Sequence, residues 1–283
     1  MIIIKKFILS LLILTFFTVN AGCSNTSNVS KDLKNNEKVI SEDLSEYFVG
    51  YEGTFVLFDK NKNEYTIFNE EKSLKQVPPC SSFKIINSLI GLETKVIEDE
   101  NTTFKWDGTK YPIESWNNDH TLKTAIQNSV VWYYQKLASQ VGEEKMQDFL
   151  NKINYGNKDI SGGITTFWLQ SSLKISPREQ VDVLRKFYDY QLPFSKKNID
   201  IVKNIIVLSD ENGIKLSGKT GSGLMPNDEK FINGWFVGYV EKDKNVYIFA
   251  TNIEANDSSD KSASGQEAKE ITLQILKDRL YYR

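Results

Sequence analysis

Ser81-Ser82-Phe83-Lys84 and Lys219-Thr220-Gly221 stand far apart in the chain, and together they constrain its fold more than any other feature. A serine and a lysine three positions apart on a helix share one face, about one turn apart, so their polar ends can meet. A lysine that loses its proton there can activate the serine hydroxyl. Pro78-Pro79-Cys80 precedes Ser81 and places it at a helix start. Its hydroxyl then lies beside free N–H groups and the positive end of the helix dipole, which suits an acyl intermediate in need of an oxyanion hole. Alone, Ser81 reads more readily as an N-cap ahead of Ile85, Ile86 and Leu89 than as a nucleophile. Lys219-Thr220-Gly221, expected to close a strand and lead into Ser222-Gly223, shifts the balance. Strand edges present backbone donors and acceptors to a substrate laid alongside, and Gly221 lets the backbone come close. Lys219 and Thr220 can hold a substrate carboxylate, and the N–H groups of Ser81 and Ser222 can form an oxyanion pair.

The rest of the chain accommodates such a meeting. Gly53–Asp59 and Glu64–Phe68 are β-rich runs around a polar turn at 60–63. Thr121–Val141 and Lys145–Ile153 carry apolar residues at helical spacing, and Ser176-Pro177-Arg178-Glu179 is a helix start. Strands return at Gly213–Lys219, Gly234–Glu241 and Asn245–Thr251, and a final helix is expected from Gly265 to Leu280. This order predicts an α/β fold: an antiparallel sheet flanked by helices, with a helical lobe (about 80–199) inserted between sheet segments (about 45–79 and 200–283).

Composition closes off other chemistries. One histidine, His120, and two cysteines, Cys23 and Cys80, cannot build a zinc site of several His or Cys ligands, so no metal is expected. A net charge of −2 gives no electrostatic reason to expect nucleic acid. Lys5-Lys6 and the apolar run Phe7–Val19 read as a signal peptide over 1–22, too short for a comfortable membrane span. Ala21-Gly22-Cys23 resembles a bacterial lipobox, although Asn20 stands where an aliphatic residue is usual. The expectation is export, lipid attachment at Cys23, a polar tether over 23–44 and anchorage on the outer face of the cell membrane. With Cys23 lipidated, Cys80 has no disulfide partner.

Three further residues bear on the chemistry. Burial of Lys84 beside Phe83 and Ile85 would disfavour its ammonium form. The neutral amine can take a proton from serine, or react with carbon dioxide to give a carbamate, a better base for a deacylating water. Ser129, in Ser129-Val130-Val131 on an expected helix, can relay a proton toward a departing ring nitrogen. Trp168, in Phe167-Trp168-Leu169, can donate one indole N–H to an acceptor in the pocket.

Ser-x-x-Lys with Lys-Thr-Gly is the signature of penicillin-recognising serine enzymes. With Phe104–Gly108, Trp116–Asp119, Tyr155-Gly156-Asn157 and Gly234–Gly238, the chain from about Gly53 to Lys277 resembles a class D (oxacillinase-type) serine β-lactamase. Tyr-Gly-Asn and Phe-Trp-Leu separate class D from class A. The resemblance implies Ser81 as nucleophile, Lys84 as carbamylated base, Ser129 as proton shuttle and Trp168 as the donor to the carbamate. It implies substrate binding by Val131, Lys219, Thr220, Gly221 and Ser222, no cofactor beyond carbon dioxide or bicarbonate, and β-lactams as substrates. Two departures stand out. Cys80 replaces a commoner alanine and should be inert. No arginine occurs in Ser262–Lys269 ahead of the last helix, which leaves Thr220, Ser222 or Lys269 for the substrate carboxylate. A slowly deacylating β-lactam sensor and a penicillin-binding transpeptidase are the rival readings. The sequence leaves substrate preference and oligomeric state open.

Overall fold

Alternation of large apolar residues in Thr54–Phe58 sends Phe55 and Leu57 to one face of a strand and Val56 and Phe58 to the other. Both faces are buried, so this strand lies inside a sheet covered on two sides. The computed structural model describes residues 37–224, 230–256 and 261–281. The expected signal peptide, Cys23 and the tether up to residue 36 lie outside the described residues.

In chain order the main elements are β1 Lys38–Ser41, β2 Tyr51–Asp59, β3 Glu64–Phe68, α1 Glu70–Leu74, α2 Lys84–Glu93, β4 Thr103–Phe104, β5 His120–Thr121, α3 Leu122–Gln127, α4 Val131–Val141, α5 Glu143–Ile153, α6 Pro177–Tyr188, α7 Lys196–Ile205, β6 Val207–Glu211, β7 Ile214–Leu224, β8 Phe231–Lys242, β9 Asn245–Ala255 and α8 Gly265–Leu276. Seven strands form one sheet in the order β1-β3-β2-β9-β8-β7-β6, while β4 and β5 pair separately. Phe55, Leu57, Phe236, Val240, Phe249 and Ile253 form one core with Ala268, Ile275 and Leu276 of α8. On the opposite face Val56, Phe58, Val237 and Ile248 join Val181, Leu184 and Phe187 of α6 and the core of the helical lobe. Each of the Val, Leu, Ile and Phe side chains, fully buried, contributes about 1.5–3 kcal/mol. The sheet flanked by helices expected from the sequence is present, with the helical lobe inserted between sheet segments.

The sheet is mixed rather than wholly antiparallel. β1 runs parallel to β3, from Lys38 opposite Glu64 to Ser41 opposite Ile67. Residues 38–41 therefore belong to the folded domain rather than to a tether. They pair with the outer edge of β3, and Leu44 behind them is completely buried. α6 starts as expected: Ser176 accepts from the Glu179 N–H, the Glu179 carboxylate accepts from the Ser176 N–H, and Pro177 opens the first turn.

Three boundaries differ from expectation. The helix expected across Thr121–Val141 breaks at residues 128–130, so Ser129 lies in a turn with φ of 55° and not on a helix. Asn128 and Ser129 compete for local backbone bonds, which favours a turn there. The Trp116 indole also donates to the Asn128 carbonyl at 2.9 Å, so that oxygen is held by tertiary contact. β7 continues to Leu224, because Ser222 and Gly223 remain paired with Gly234 and Asn233 of β8, so Lys219-Thr220-Gly221 lies inside a strand. The last α-helix ends at Leu276 and gives way to a wider turn over Lys277–Tyr281.

Candidate active site

The chain reaches Ser81 through a constrained segment. Cys80 has φ of 51°, and a short 3-10 turn over Cys80–Phe83 delivers the chain into α2. The preceding loop is clamped from the sheet. Trp235 Nε1 and Asn233 Nδ2 both donate to the Pro78 carbonyl, at 2.8 and 2.9 Å. Asn252 Nδ2 in turn donates to Asn233 Oδ1 at 2.9 Å. From α6, Gln180 Nε2 donates to Ser82 Oγ at 2.9 Å, and Ser82 Oγ donates to the Pro79 carbonyl at 2.7 Å. Ser81 is thus fixed from two layers of the fold. The Cys80 thiol is buried and free, and burial pushes it up to about 12, which keeps it protonated.

Ser81 is not a cap. Neither the 3-10 turn nor α2 has a side-chain hydrogen bond at its N-cap. Lys84 Nζ instead donates to Ser81 Oγ at 2.6 Å. Lys84 has no exposed surface. Burial, reinforced by the charge of Lys219, holds its ammonium well below the usual lysine range. Its Nζ also lies 5.4 Å from the centre of the Tyr134 ring, whose hydroxyl is 2.8 Å from Ser88 Oγ. A neutral amine at 2.6 Å from a hydroxyl has the geometry to accept its proton.

β7 lies against the same segment. A Cβ added to Gly221 would meet Pro79 O at 2.9 Å, Ser82 N at 3.0 Å and Ser81 N at 3.2 Å, so a side chain there would push the strand off the nucleophile. Pairing with β6 ends at Ser217, and the Gly218 N–H donates to Ile206 O at 2.9 Å, away from β8. N–H groups alternate sides along a strand, so those of Thr220 and Ser222 point to the same edge. No strand covers that edge from Lys219 onward among the described residues. The backbone of Ser222 is therefore presented beside Ser81, while its Oγ accepts from the Gly265 N–H at 2.9 Å.

Lys219 is buried, and its Nζ donates to Thr220 O at 2.9 Å and lies 3.3 Å from Thr220 Oγ1. Burial, with Lys269 as a second cause, lowers it to about 7. Lys219 and Thr220 line a cavity of about 230 Å³ with Gln127, Gln266 and Lys269. Of the three replacements considered for the missing arginine, Lys269 is thus a second cation on this cavity. Val131 is the first residue of α4, directly after the Ser129 turn.

Trp168 is fully buried in a turn-rich loop, with its ring 6.1 Å from that of Phe83, the residue before Lys84. Tyr155-Gly156-Asn157 shapes this loop. Asn157 Oδ1 accepts from Lys174 N at 2.9 Å and its Nδ2 donates to Ser172 O at 2.9 Å. Gly156, at φ of 50°, leaves room for Lys174 O, which a Cβ would approach to 1.9 Å. Leu173 N then donates to Phe167 O at 2.9 Å, which ties the stitched strand of loop to Trp168. Trp168 Nε1 has no hydrogen-bond partner, and neither amide atom of Asn87 on α2 has one. An unsatisfied buried group costs about 1–3 kcal/mol. Sequence reasoning missed Asn87, Gln180 and Asn233; a polar residue inside the apolar run Ile85–Ile90 was the available signal for the first.

The model of the penicillin-binding protein transpeptidase-domain family matches residues 53–277, a span that holds both the Ser81 turn and the Lys-Thr-Gly strand, and the chain belongs to that family. Within that family it falls in the class D serine β-lactamases. It is 40% identical over 281 residues to the probable β-lactamase YbxI of Bacillus subtilis, covering 96% of this chain and 97% of that protein. The structure of class D β-lactamase BAT-2 superposes with a TM-score of 0.78 at 45% identity, covering 84% of this chain and 95% of that one. The C-terminal domain of the Bacillus licheniformis BlaR penicillin receptor gives 0.81 at 42% identity, over 87% and 98% of the two chains.

Proposed function

We propose that the chain hydrolyses β-lactam antibiotics through an acyl-enzyme on Ser81, with carbamylated Lys84 as the base, and so protects its host from them. The observation that carries this reading is the 2.6 Å contact between a buried Lys84 Nζ and Ser81 Oγ. Ser81 Oγ attacks the lactam carbonyl as its proton passes to the base. The N–H groups of Ser81 and Ser222 receive the developing oxyanion. Ser129 hands a proton to the ring nitrogen as the C–N bond breaks, and Lys219 and Thr220 hold the substrate carboxylate. Water then cleaves the ester and regenerates Ser81.

The site suits a carbon dioxide adduct on Lys84. Burial favours the neutral amine, the only form that reacts with carbon dioxide, and Trp168 Nε1 is a buried donor without an acceptor. When present, the carbamate supplies an anionic oxygen base.

The likeness to the BlaR receptor domain supports a second reading, a sensor that is acylated and held. The deacylation rate separates the two. We expect a penicilloyl adduct, followed by mass spectrometry after a single turnover, to disappear within seconds. Persistence for hours would replace the hydrolase by a sensor or transpeptidase.

Export and lipid attachment at Cys23 complete the reading, supported by the basic and apolar N-terminal run and Ala21-Gly22-Cys23. Cys23→Ala should move the protein from the membrane fraction to the medium with unchanged specific activity. An unaltered membrane fraction would remove the lipid anchor.

A further inference from the structure

Asn87 lies on α2 one turn beyond Lys84 and is completely buried. Among the described residues, the buried side-chain atoms without a hydrogen-bond partner are Asn87 Nδ2, Asn87 Oδ1, Trp168 Nε1 and Ser217 Oγ. The next residue, Ser88, is fully satisfied, donating to Lys84 O at 2.7 Å and lying 2.8 Å from the Tyr134 hydroxyl. This helix therefore satisfies a buried polar group where the fold offers a partner. At Asn87 it offers none to either end of the amide.

Helical side chains lean toward the N-terminus and cover the preceding turn. The amide of Asn87 is thereby carried toward the turn that bears Phe83 and Lys84. Trp168 packs on Phe83 from the loop side. Asn87, from within α2, and Trp168, from the loop, thus both border one buried turn, the turn of the base.

A partner for Asn87 must offer an acceptor and a donor together. The carbon dioxide adduct of a lysine offers both: its oxygens accept, and its nitrogen keeps one N–H. It forms when the neutral amine attacks the carbon of carbon dioxide. One N–C bond is made, one C–O double bond opens to a carboxylate, and one proton leaves to solvent.

We propose that Asn87 is a positioning residue that, together with Trp168, retains the carbon dioxide adduct on Lys84. This rests on the reading of Lys84 as a carbamylated base. Trp168 supplies a donor alone, whereas Asn87 supplies the donor and acceptor pair. A buried ordered water on Asn87 is the competing occupant, and it predicts no effect on carbamylation.

The test is a titration of the full chain with carbon-13 bicarbonate, read by the carbamate signal in the absence of substrate. The wild type, Asn87→Leu and Asn87→Ala are compared at one pH, with thermal melts alongside. Leucine keeps the volume and removes an unsatisfied amide, so it should fold with a melting temperature equal to or above the wild type. Alanine removes the amide with a smaller side chain and guards against misfit of leucine. The bicarbonate concentration at half-occupancy should rise by at least about tenfold in the folded variants, the scale for losing a hydrogen bond to a charged group. An unchanged half-point in either folded variant overturns the proposal and leaves the base reading standing. No carbamate signal in the wild type at any bicarbonate concentration removes the base reading, and the proposal with it.

Discussion

Ser81→Ala leaves a folded protein that no longer opens β-lactams and gains no penicilloyl mass. The substitution deletes one oxygen whose side-chain partner is Lys84 Nζ. The contacts that hold this segment come from its neighbours: Pro78 O is bound by Trp235 and Asn233, and Ser82 by Gln180. The melting temperature should therefore stay within a few degrees, and the Cys80–Phe83 turn should persist. Turnover should fall on the order of 10⁶-fold, the scale for removing the nucleophile of a serine hydrolase. The oxyanion donors are backbone groups and survive, so binding of an intact β-lactam is retained while the covalent step is lost. Wild-type turnover by the variant, or a penicilloyl adduct on another residue, would place the nucleophile elsewhere.

Much of this site was legible because its chemistry is local. Ser81 and Lys84 are three residues apart, and helix geometry alone brings them together. The hairpin of β2 and β3 and the start of α6 were legible for the same reason: alternation and a capping box act within a few residues. What escaped the sequence depends on partners far away. Ser129 continues a helical pattern on both sides, and its turn is held in part by Trp116 through the Asn128 carbonyl. β1 is a four-residue strand in a polar stretch, and only the exposed edge of β3 gives it a place. Tyr155-Gly156-Asn157 is a weak turn signal until Lys174 and Ser172 come back to meet Asn157. Asn233 is a polar residue in an apolar strand and Gln180 one polar residue among many in α6, and neither has a visible role until the loop before Ser81 is laid against them. Burial of Lys84, by contrast, was readable from its apolar neighbours, and the fold adds Lys219 as a second cause of its weakened basicity.

Trp168→Phe still acylates, because the Lys84 amine itself lies within reach of the Ser81 proton, and then stalls. Phenylalanine retains most of the apolar volume, and Trp168 is held among Phe83 and Phe167 by ring contacts at 6.1 and 5.0 Å that a smaller ring largely preserves. The indole N–H is the part that is lost. In the protein alone that donor has no acceptor, so its removal should not lower the melting temperature and can raise it. If the donor serves an anionic group on Lys84, its loss removes a charge-assisted hydrogen bond worth about 1.5–3 kcal/mol. The half-saturating bicarbonate concentration should then rise by roughly tenfold or more, and added bicarbonate should partly restore deacylation. Acid should act in the same direction in both proteins. Burial lowers the Lys84 ammonium, so the neutral amine that reacts with carbon dioxide persists to lower pH than for an exposed lysine, and is lost once pH falls below that depressed value. The carbon-13 signal from labelled bicarbonate is the direct readout. It should be strong in the wild type, weak in Trp168→Phe and absent in Lys84→Ala. A fully active wild type without the signal, or a signal that survives Lys84→Ala, would show that deacylation uses another base.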